Sequence, residues 1–296
     1  RTPRTGSVYM IDRAVILAAG RGTRFFAYTK AYPKEMLAVA DKPALQLLVE
    51  EVSASGIKNV LIVISRDKQD VVRHFTPDRD LERSLEKEGK GDAAEQLRAL
   101  DNLAEVSFAY QQTANGTGNA LLLAEDWAEH KPFAVLNGDD VILSDEPVTL
   151  QLARAYERCR SCVVGVQQVD RDAIHKYASC RVEESDGRLH RISDIVEKPR
   201  DNEVYSLLAP LGRYVALPQV FDVIRRTPKR GNEVCFTDAL QIMAREQGIF
   251  AYEFQGERFD FGDKLGYVKG VTRYALADGR FHDEYLAYLK ELIKNL

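Results

Sequence analysis

Nowhere in the chain do about 18 apolar residues follow one another, so no stretch is built to cross a bilayer as a helix. The Arg/Thr/Gly/Ser-rich residues ahead of Met10 also lack the apolar centre of a secretory signal. The sequence reading therefore expects a cytoplasmic protein, with residues 1–12 a flexible leader and 13–296 a single domain. An excess of one charge is missing as well. Lys and Arg number 41 against 45 Asp and Glu, for a formal net charge of -4 and a pI near 5.9, with the signs interspersed. Such a chain has no basic stripe for nucleic acid, and any phosphate recognition has to be local. Cysteine is scarce: Cys159 and Cys162 form one C-x-x-C, but Cys180 and Cys235 stand alone and the five histidines supply no H-x-x-x-H pair. That spacing argues against a zinc ribbon. Cys159 ends a helical pattern and Cys162 opens the run CVVGVQQV, which reads as small core residues.

What the chain does have is an alternation of short apolar runs with amphipathic stretches over 296 residues, ample for a large core. This is the pattern of βα units, and it predicts an α/β fold with a mostly parallel sheet flanked by helices. Strands are expected at 14–17, 59–64, 106–110, 133–136 and 162–169. In PALQLLVEEVSASG, Pro43 and Gly56 stand where a helix begins and stops. Residues 78–101 read as one exposed, charged helical excursion, and ALLLAEDWAEH as a further helix. Around Asp186-Gly187 the period changes to alternation, the mark of a hairpin added to the sheet. The last segment keeps Tyr285, Leu289, Leu292 and Leu296 on one helical face.

Chemistry concentrates at AVILAAGRGTRFFAYTKAYPKEML, residues 14–37, where a buried strand runs into a glycine turn carrying Arg24, Lys30 and Lys34. Gly20 and Gly22 let backbone N–H groups approach anionic oxygens, and the cations add charge. The alternative is a loop of solvated surface cations. A Walker loop is excluded, since Gly22-Thr23-Arg24 stands where Gly-Lys-Ser/Thr is needed, and a dinucleotide fingerprint fails at Phe25. Further along, NGDD follows the apolar run FAVL, so Asp139 and Asp140 stand just beyond a strand's carboxyl end, where open α/β sheets bind ligands. Hard carboxylate oxygens suit Mg2+; a simple chain-turning Asp pair is the other reading.

The blocks G-x-G-T-R, T-K-A-x-P-K-E-M-L and D-K-P, followed in order by NGDDVIL, EKP, GRY, TDA and FDFGDKLGY, resemble the bacterial UTP–glucose-1-phosphate uridylyltransferase family from residue 14 to about 274. The resemblance implies a Rossmann-like nucleotidyltransferase fold with C-terminal helices, a homodimer or homotetramer, and Mg2+-assisted in-line attack of glucose 1-phosphate on the α-phosphorus of UTP. It implies Arg24 and Lys34 on the triphosphate and Lys198 on the sugar phosphate as catalytic groups. The nucleotide would lie against Ala18, Ala19, Gly20 and Gly22, with Glu35 bracing the loop and Gln111 and Gly116 facing the base. An amide suits the imide edge of uracil or thymine. The sugar would meet Glu197, Ala178 and the Gly212 backbone. Asp139 would hold the metal with Asp260, which is equally readable as a turn or capping residue; Asp140 is the other candidate. Since the sugar phosphate is already ionised at neutral pH, no general base is demanded.

The chain departs from that pattern at Phe26, Ala27 and Tyr28, where Leu-Pro-Ala is usual, at the loop G-T-G-N, and at Ala178, where a glycine commonly lies beside the sugar. These changes bear on substrate identity, leaving dTTP or another sugar 1-phosphate as alternatives. From other classes, a nucleotide-sugar-dependent glycosyltransferase would share the Asp cluster but not need Arg24 and Lys34, and a non-catalytic sugar-nucleotide sensor would not need to keep them.

Overall fold

The computed structural model describes residues 11–295. The expected leader as far as residue 10, and Leu296 of the final apolar face, lie outside the described residues. In chain order the elements are β1 (Arg13–Leu17), β2 (Ala38–Val39), β3 (Lys42–Pro43), α1 (Ala44–Ala54), β4 (Asn59–Ser65), α2 (Gln69–Phe75), α3 (Arg79–Lys87), α4 (Gly91–Asp101) and β5 (Glu105–Gln111). Then come α5 (Thr117–Leu122), β6 (Phe133–Asn137), β7 (Asp140–Leu143), α6 (Val148–Cys159), β8 (Val163–Gln168), β9 (Ala178–Asp186), β10 (Leu189–Glu197) and β11 (Leu208–Ala216). The chain ends with α7 (Val220–Arg226), α8 (Phe236–Gln247), β12 (Ile249–Glu253), β13 (Glu257–Asp260), α9 (Lys264–Ala277) and α10 (His282–Lys294).

The expected strands and the hairpin form, and the reasons are local. The β1 and β4 runs RAVIL and NVLIVIS are apolar in their interiors, with polar residues only at their ends, because helices cover both faces of a parallel sheet. Alternate residues of β1 feed two cores: Ala14 and Ile16 pack with Leu45 and Leu48 of α1, while Val15 and Leu17 pack with Leu121, Phe221 and Leu240 on the other face. Two expected helices differ in extent. Residues 78–101 divide into α3 and α4, because Gly89 takes φ +75° between them. The ALLLAEDWAEH helix stops at Leu122 and continues as turns, with Glu129 and His130 at positive φ. There the buried Arg13 guanidinium captures the Trp127 carbonyl at 2.5 Å and the Glu129 carboxylate at 2.8 Å.

The nine-stranded sheet has the order β5-β4-β1-β6-β11-β8-β12-β10-β9, and β11 and β10 run against the other seven strands. Chain order steps outward from β1 through β4 to β5, then returns to the other side of β1 at β6. This reversal opens a crevice beyond the strands' carboxyl ends. Register makes those ends coincide: Leu17 pairs with Val63 and with Asn137, and Ser65 pairs with Gln111. The loops after β1, β4, β5 and β6 therefore converge on one edge. C-terminal to the sheet, α10 lies on α9; Tyr285 and Leu289 are half-buried, while Tyr288, Leu292 and Ile293 are exposed. The thiols of Cys162 and Cys180 are buried, which pushes each up to about 12, whereas Cys159 and Cys235 are only partly covered.

Candidate active site

A cleft of about 430 Å³ occupies that edge, lined by Ala19, Gly20 and Arg21 after β1, Lys34 and Glu35 further round the loop, Gln111 and Gly116 after β5, and Asn137 and Asp139 after β6. Gly22 turns the loop at φ +65°, and an added methyl there would press on Thr29 at 3.0 Å. Ala18 is buried beneath the wall.

Lys34 reaches across this cleft, and its Nζ donates to Asp139 Oδ2 at 2.5 Å. Burial works against the Lys34 ammonium, but the charge of Asp139 holds it above its ordinary value. Burial would likewise raise Asp139, yet Lys34's charge and hydrogen bond keep its carboxyl below the usual range. Asp260, at the end of β13, comes to the same place. A methyl built on Gly262 would stand 2.9 Å from both Asp139 Oδ2 and Asp260 Oδ1 and would run into the Arg24 guanidinium, so the two carboxylates and Arg24 converge on one point of the backbone. Burial pushes Asp260 up; Arg258 opposes this, and the charges of Asp140 and Asp139 add to it. Asp260 is a turn residue as well, accepting from the Gly262 N–H at 2.7 Å. Arg24, still 61% exposed, has Nη1 3.9 Å from Asp260 Oδ2. Asp140 is turned elsewhere: it is buried, accepts from Arg258 Nε at 2.6 Å and from Asn137 Nδ2 at 3.0 Å, and its added-Cβ neighbour is Gly212. Among the described residues no group of three or more His, Cys, Asp or Glu gathers as a closed metal cage.

On the far side of the cleft, Gln111 donates through Nε2 to Asn115 Oδ1 at 2.9 Å and to the Gly116 carbonyl at 3.1 Å. Both amide hydrogens are thereby engaged, which leaves Oε1 as the acceptor end. Gly116 has φ +102°, and an added Cβ would overlap the Val234 backbone, which docks on this loop through Val234 N–H to Asn115 O at 2.9 Å and Gly118 N–H to Val234 O at 2.8 Å.

The sequence profile of the nucleotidyl transferase family matches residues 13–275. A UTP–glucose-1-phosphate uridylyltransferase of Staphylococcus haemolyticus is 40% identical over 283 residues, covering 95% of this chain and 98% of that one. The chain belongs to the nucleotidyl transferase family. Within it, solved structures agree. A UDP-glucose pyrophosphorylase complexed with UDP-glucose superposes with a TM-score of 0.81 at 33% identity, over 90% of this chain and 100% of that one. A UTP-bound enzyme of the same kind from Acinetobacter baumannii gives 0.88 at 30% identity, over 95% and 99%.

The remaining expected residues of this nucleotidyl transferase lie outside the wall of the cleft just described. Lys198 is exposed, with its own φ at +49° and its N–H bonded to the Tyr177 carbonyl at 2.7 Å. A lysine in that region carries strain of about 1–3 kcal/mol, of the kind found where a site dictates backbone shape. Burial pushes the Glu197 carboxyl up, with Lys198 and Arg230 opposing. Ala178 pairs with Glu197 across the hairpin, but its methyl is enclosed in the core with Cys180 and Ile195 and does not project into a cleft. Phe26 is exposed and Tyr28 partly so, with Tyr28 bonded to the Met36 carbonyl at 3.2 Å.

Several residues that sequence reasoning passed over hold the site together. Arg258 pairs with Asp140 and stacks on Tyr177, its Cζ 5.3 Å from the ring centre. It thereby ties the carboxylates to the hairpin bearing Glu197 and Lys198. Arg213, wholly buried, grips Glu51 at 2.7 Å and the Asp140 carbonyl at 2.9 Å. Lys68, in the turn after β4, donates to Glu35 Oε2 at 2.7 Å. Burial pushes Glu35 up and Lys68 down, each partly offset by the partner's charge. Among these only Arg213 sits inside a block the resemblance drew on, as the middle residue of GRY; Arg258 stands one residue ahead of FDFGDKLGY, and Lys68 is an isolated charge in turn sequence.

Proposed function

We propose that this nucleotidyl transferase forms UDP-glucose and pyrophosphate from UTP and glucose 1-phosphate. The observation that carries the reading is the meeting of Lys34, Asp139 and Asp260 at the sheet's carboxyl edge, beside the base-sized recess at Gln111. The 40% identity to uridylyltransferases along nearly the whole chain supports the choice of nucleotide and sugar.

Arg24 and Lys34 bind the triphosphate and orient its α-phosphorus; Lys198 and Glu197 hold the sugar phosphate and the sugar hydroxyls, with the backbone at Gly212 and Ala178 nearby. Ala18, Ala19, Gly20 and Gly22 shape the loop, Glu35 braces it, and Gln111 Oε1 accepts from the uracil N3–H above Gly116. A divalent cation, Mg2+ by the hardness of the donors, would fit Asp139 and Asp260: two hard carboxylates converge on one point at Gly262, which the exposed, long side chain of Arg24 also reaches, and phosphate and water would fill the remaining positions. When bound it neutralises charge on the phosphates during transfer. The chain's own cations and N–H groups do the rest by positioning, because phosphoryl-type transfer asks mainly for alignment and charge stabilisation. The same reading places the protein in the cytoplasm as a homodimer or homotetramer, supported by the exposed apolar residues Leu265, Val268, Tyr288 and Ile293 on the two last helices.

Pyrophosphate release from a panel of triphosphates and sugar 1-phosphates tests it. UTP with glucose 1-phosphate and Mg2+ is expected to give the highest kcat/KM, and excess chelator to abolish turnover. Another sugar preferred tenfold would leave the reaction class standing and change the product. Absence of pyrophosphate with every pair would overturn the reaction.

A further inference from the structure

Lys68 lies outside the groups just given a role, yet it makes three hydrogen bonds beneath the loop after β1. Its Nζ, almost wholly buried, donates to Ala18 O at 2.5 Å, to Gly20 O at 2.8 Å and to Glu35 Oε2 at 2.7 Å. An ammonium has three hydrogens and no acceptor, so these three bonds saturate it. The three acceptors come from the strand end, the glycine turn and the far limb of the same loop. One cation thus closes the loop on itself and fastens it to the turn after β4.

The direction of these bonds matters. In a trans peptide the C=O and the following N–H point in opposite directions. With the Ala18 and Gly20 carbonyls drawn down to Lys68, the N–H groups of Ala19 and Arg21 face the other way, toward the cleft that both residues line. Among the described residues, Ala19, Gly20, Arg21 and Gly22 donate no backbone hydrogen bond. Unspent N–H groups on a glycine turn are anion ligands in waiting. Glu35 Oε1, also buried, has no hydrogen-bond partner, so the side-chain hydrogen bond of the Glu35 carboxylate is the one from Lys68.

We propose that Lys68 is a positioning residue for the triphosphate: it fixes the two carbonyls so that the Ala19 and Arg21 N–H groups are presented to the phosphates of the incoming nucleotide. The inference rests on the nucleotide reading above. Without Lys68 those peptides are free to rotate, and carbonyl oxygens would then turn toward the anion.

Calorimetric titration with UTP and steady-state kinetics on Lys68→Met and on Lys68→Met/Glu35→Met test this. The double variant removes the buried carboxylate that the single variant leaves unpaired, and so recovers folding stability. Both are expected to bind UTP at least tenfold more weakly, with KM for glucose 1-phosphate within about twofold of wild type. UTP affinity near wild type in either variant would overturn the proposal, as would return of full affinity in the double variant, which would reduce Lys68 to a counter-ion of Glu35. Equal loss for both substrates would overturn it too, as a general defect. The wild-type protein supplies a test independent of folding: the ¹⁵N–¹H resonances of Ala19 and Arg21 should shift on adding UTP or inorganic pyrophosphate. If wild type binds UTP and those amides stay put, the proposal fails while the nucleotide reading stands. If wild type binds no triphosphate, the nucleotide reading itself falls and the proposal with it.

Discussion

Lys34 and Asp139 meet at 2.5 Å across 105 positions of sequence, so each sets the other's charge. Asp139→Asn keeps the shape, removes the anionic ligand and frees Lys34; turnover is expected to fall about 10²-fold or more, with divalent-cation affinity falling alongside it in a titration. At Lys198 the backbone is strained and the ammonium exposed, and the proposed partner is the sugar phosphate. Lys198→Ala should raise KM for glucose 1-phosphate well beyond any change in KM for UTP. Gln111 carries a sharper expectation, because the Gly116 carbonyl fixes the amide's orientation and leaves Oε1 as acceptor. Cytosine presents an unprotonated N3 to that oxygen, and mispaired buried polar groups cost about 1–3 kcal/mol. CTP should therefore be used with kcat/KM reduced to match, and comparable use of UTP and CTP would remove Gln111 from base selection.

At the scale of elements, the glycines separate two kinds of turn. Gly116 leads into α5 at φ +102° with the Val234 backbone against it, while Gly187 at the tip of the β9–β10 hairpin has φ +61° and nothing within 4 Å of an added Cβ. Alanine at either site carries the left-handed backbone cost of about 1–2 kcal/mol. Only Gly116→Ala also forces apart the loop carrying Gln111 and the segment ahead of α8. Urea denaturation should record a loss for both variants, and KM for UTP should rise, about tenfold, for Gly116→Ala alone. A matching rise in Gly187→Ala would show that the loop's docking on Val234 is not what shapes the base recess.

For the whole molecule, the buried Arg213–Glu51 pair joins four elements: Glu51 on α1 also accepts from the Thr149 N–H and hydroxyl of α6 at 3.0 and 2.6 Å, and Arg213 of β11 reaches the Asp140 carbonyl of β7. Arg213→Met leaves that carboxylate buried without its cation, a loss of about 3–5 kcal/mol readable by urea denaturation. The pair also sets a pH response. Burial would raise Glu51, but Arg213 and Thr149 hold its carboxyl below the ordinary 4.5. A depressed carboxyl gives stability that is fully present above the unfolded value and lost as pH falls through the lower folded one. Wild-type stability should thus drop below about pH 4.5, and a pH series on Arg213→Met should show a shallower acid limb.

The sequence by itself determined the βα order, the strand-end glycine loop and the place of Asp139, because hydrophobic period and turn chemistry act over a few residues and are written where they act. It also placed Asp260 beside a turn, which its bond from the Gly262 N–H matches. Local pattern failed where distant groups intervened: α5 stops at Leu122, beyond which Arg13 from the first strand takes the Trp127 carbonyl. Only the tertiary structure decided which carboxylate each buried cation would take. Sheet register brings the ends of β1, β4, β5 and β6 together, and this carries Lys68 under the loop after β1. The pairing of Arg258 with Asp140 leaves Asp139 to Lys34, and Asp139 and Asp260 both approach the backbone at Gly262. Such choices are set by burial, since a charge removed from water must find an opposite one within a few ångströms, and the candidates are fixed by packing and not by neighbours in the chain.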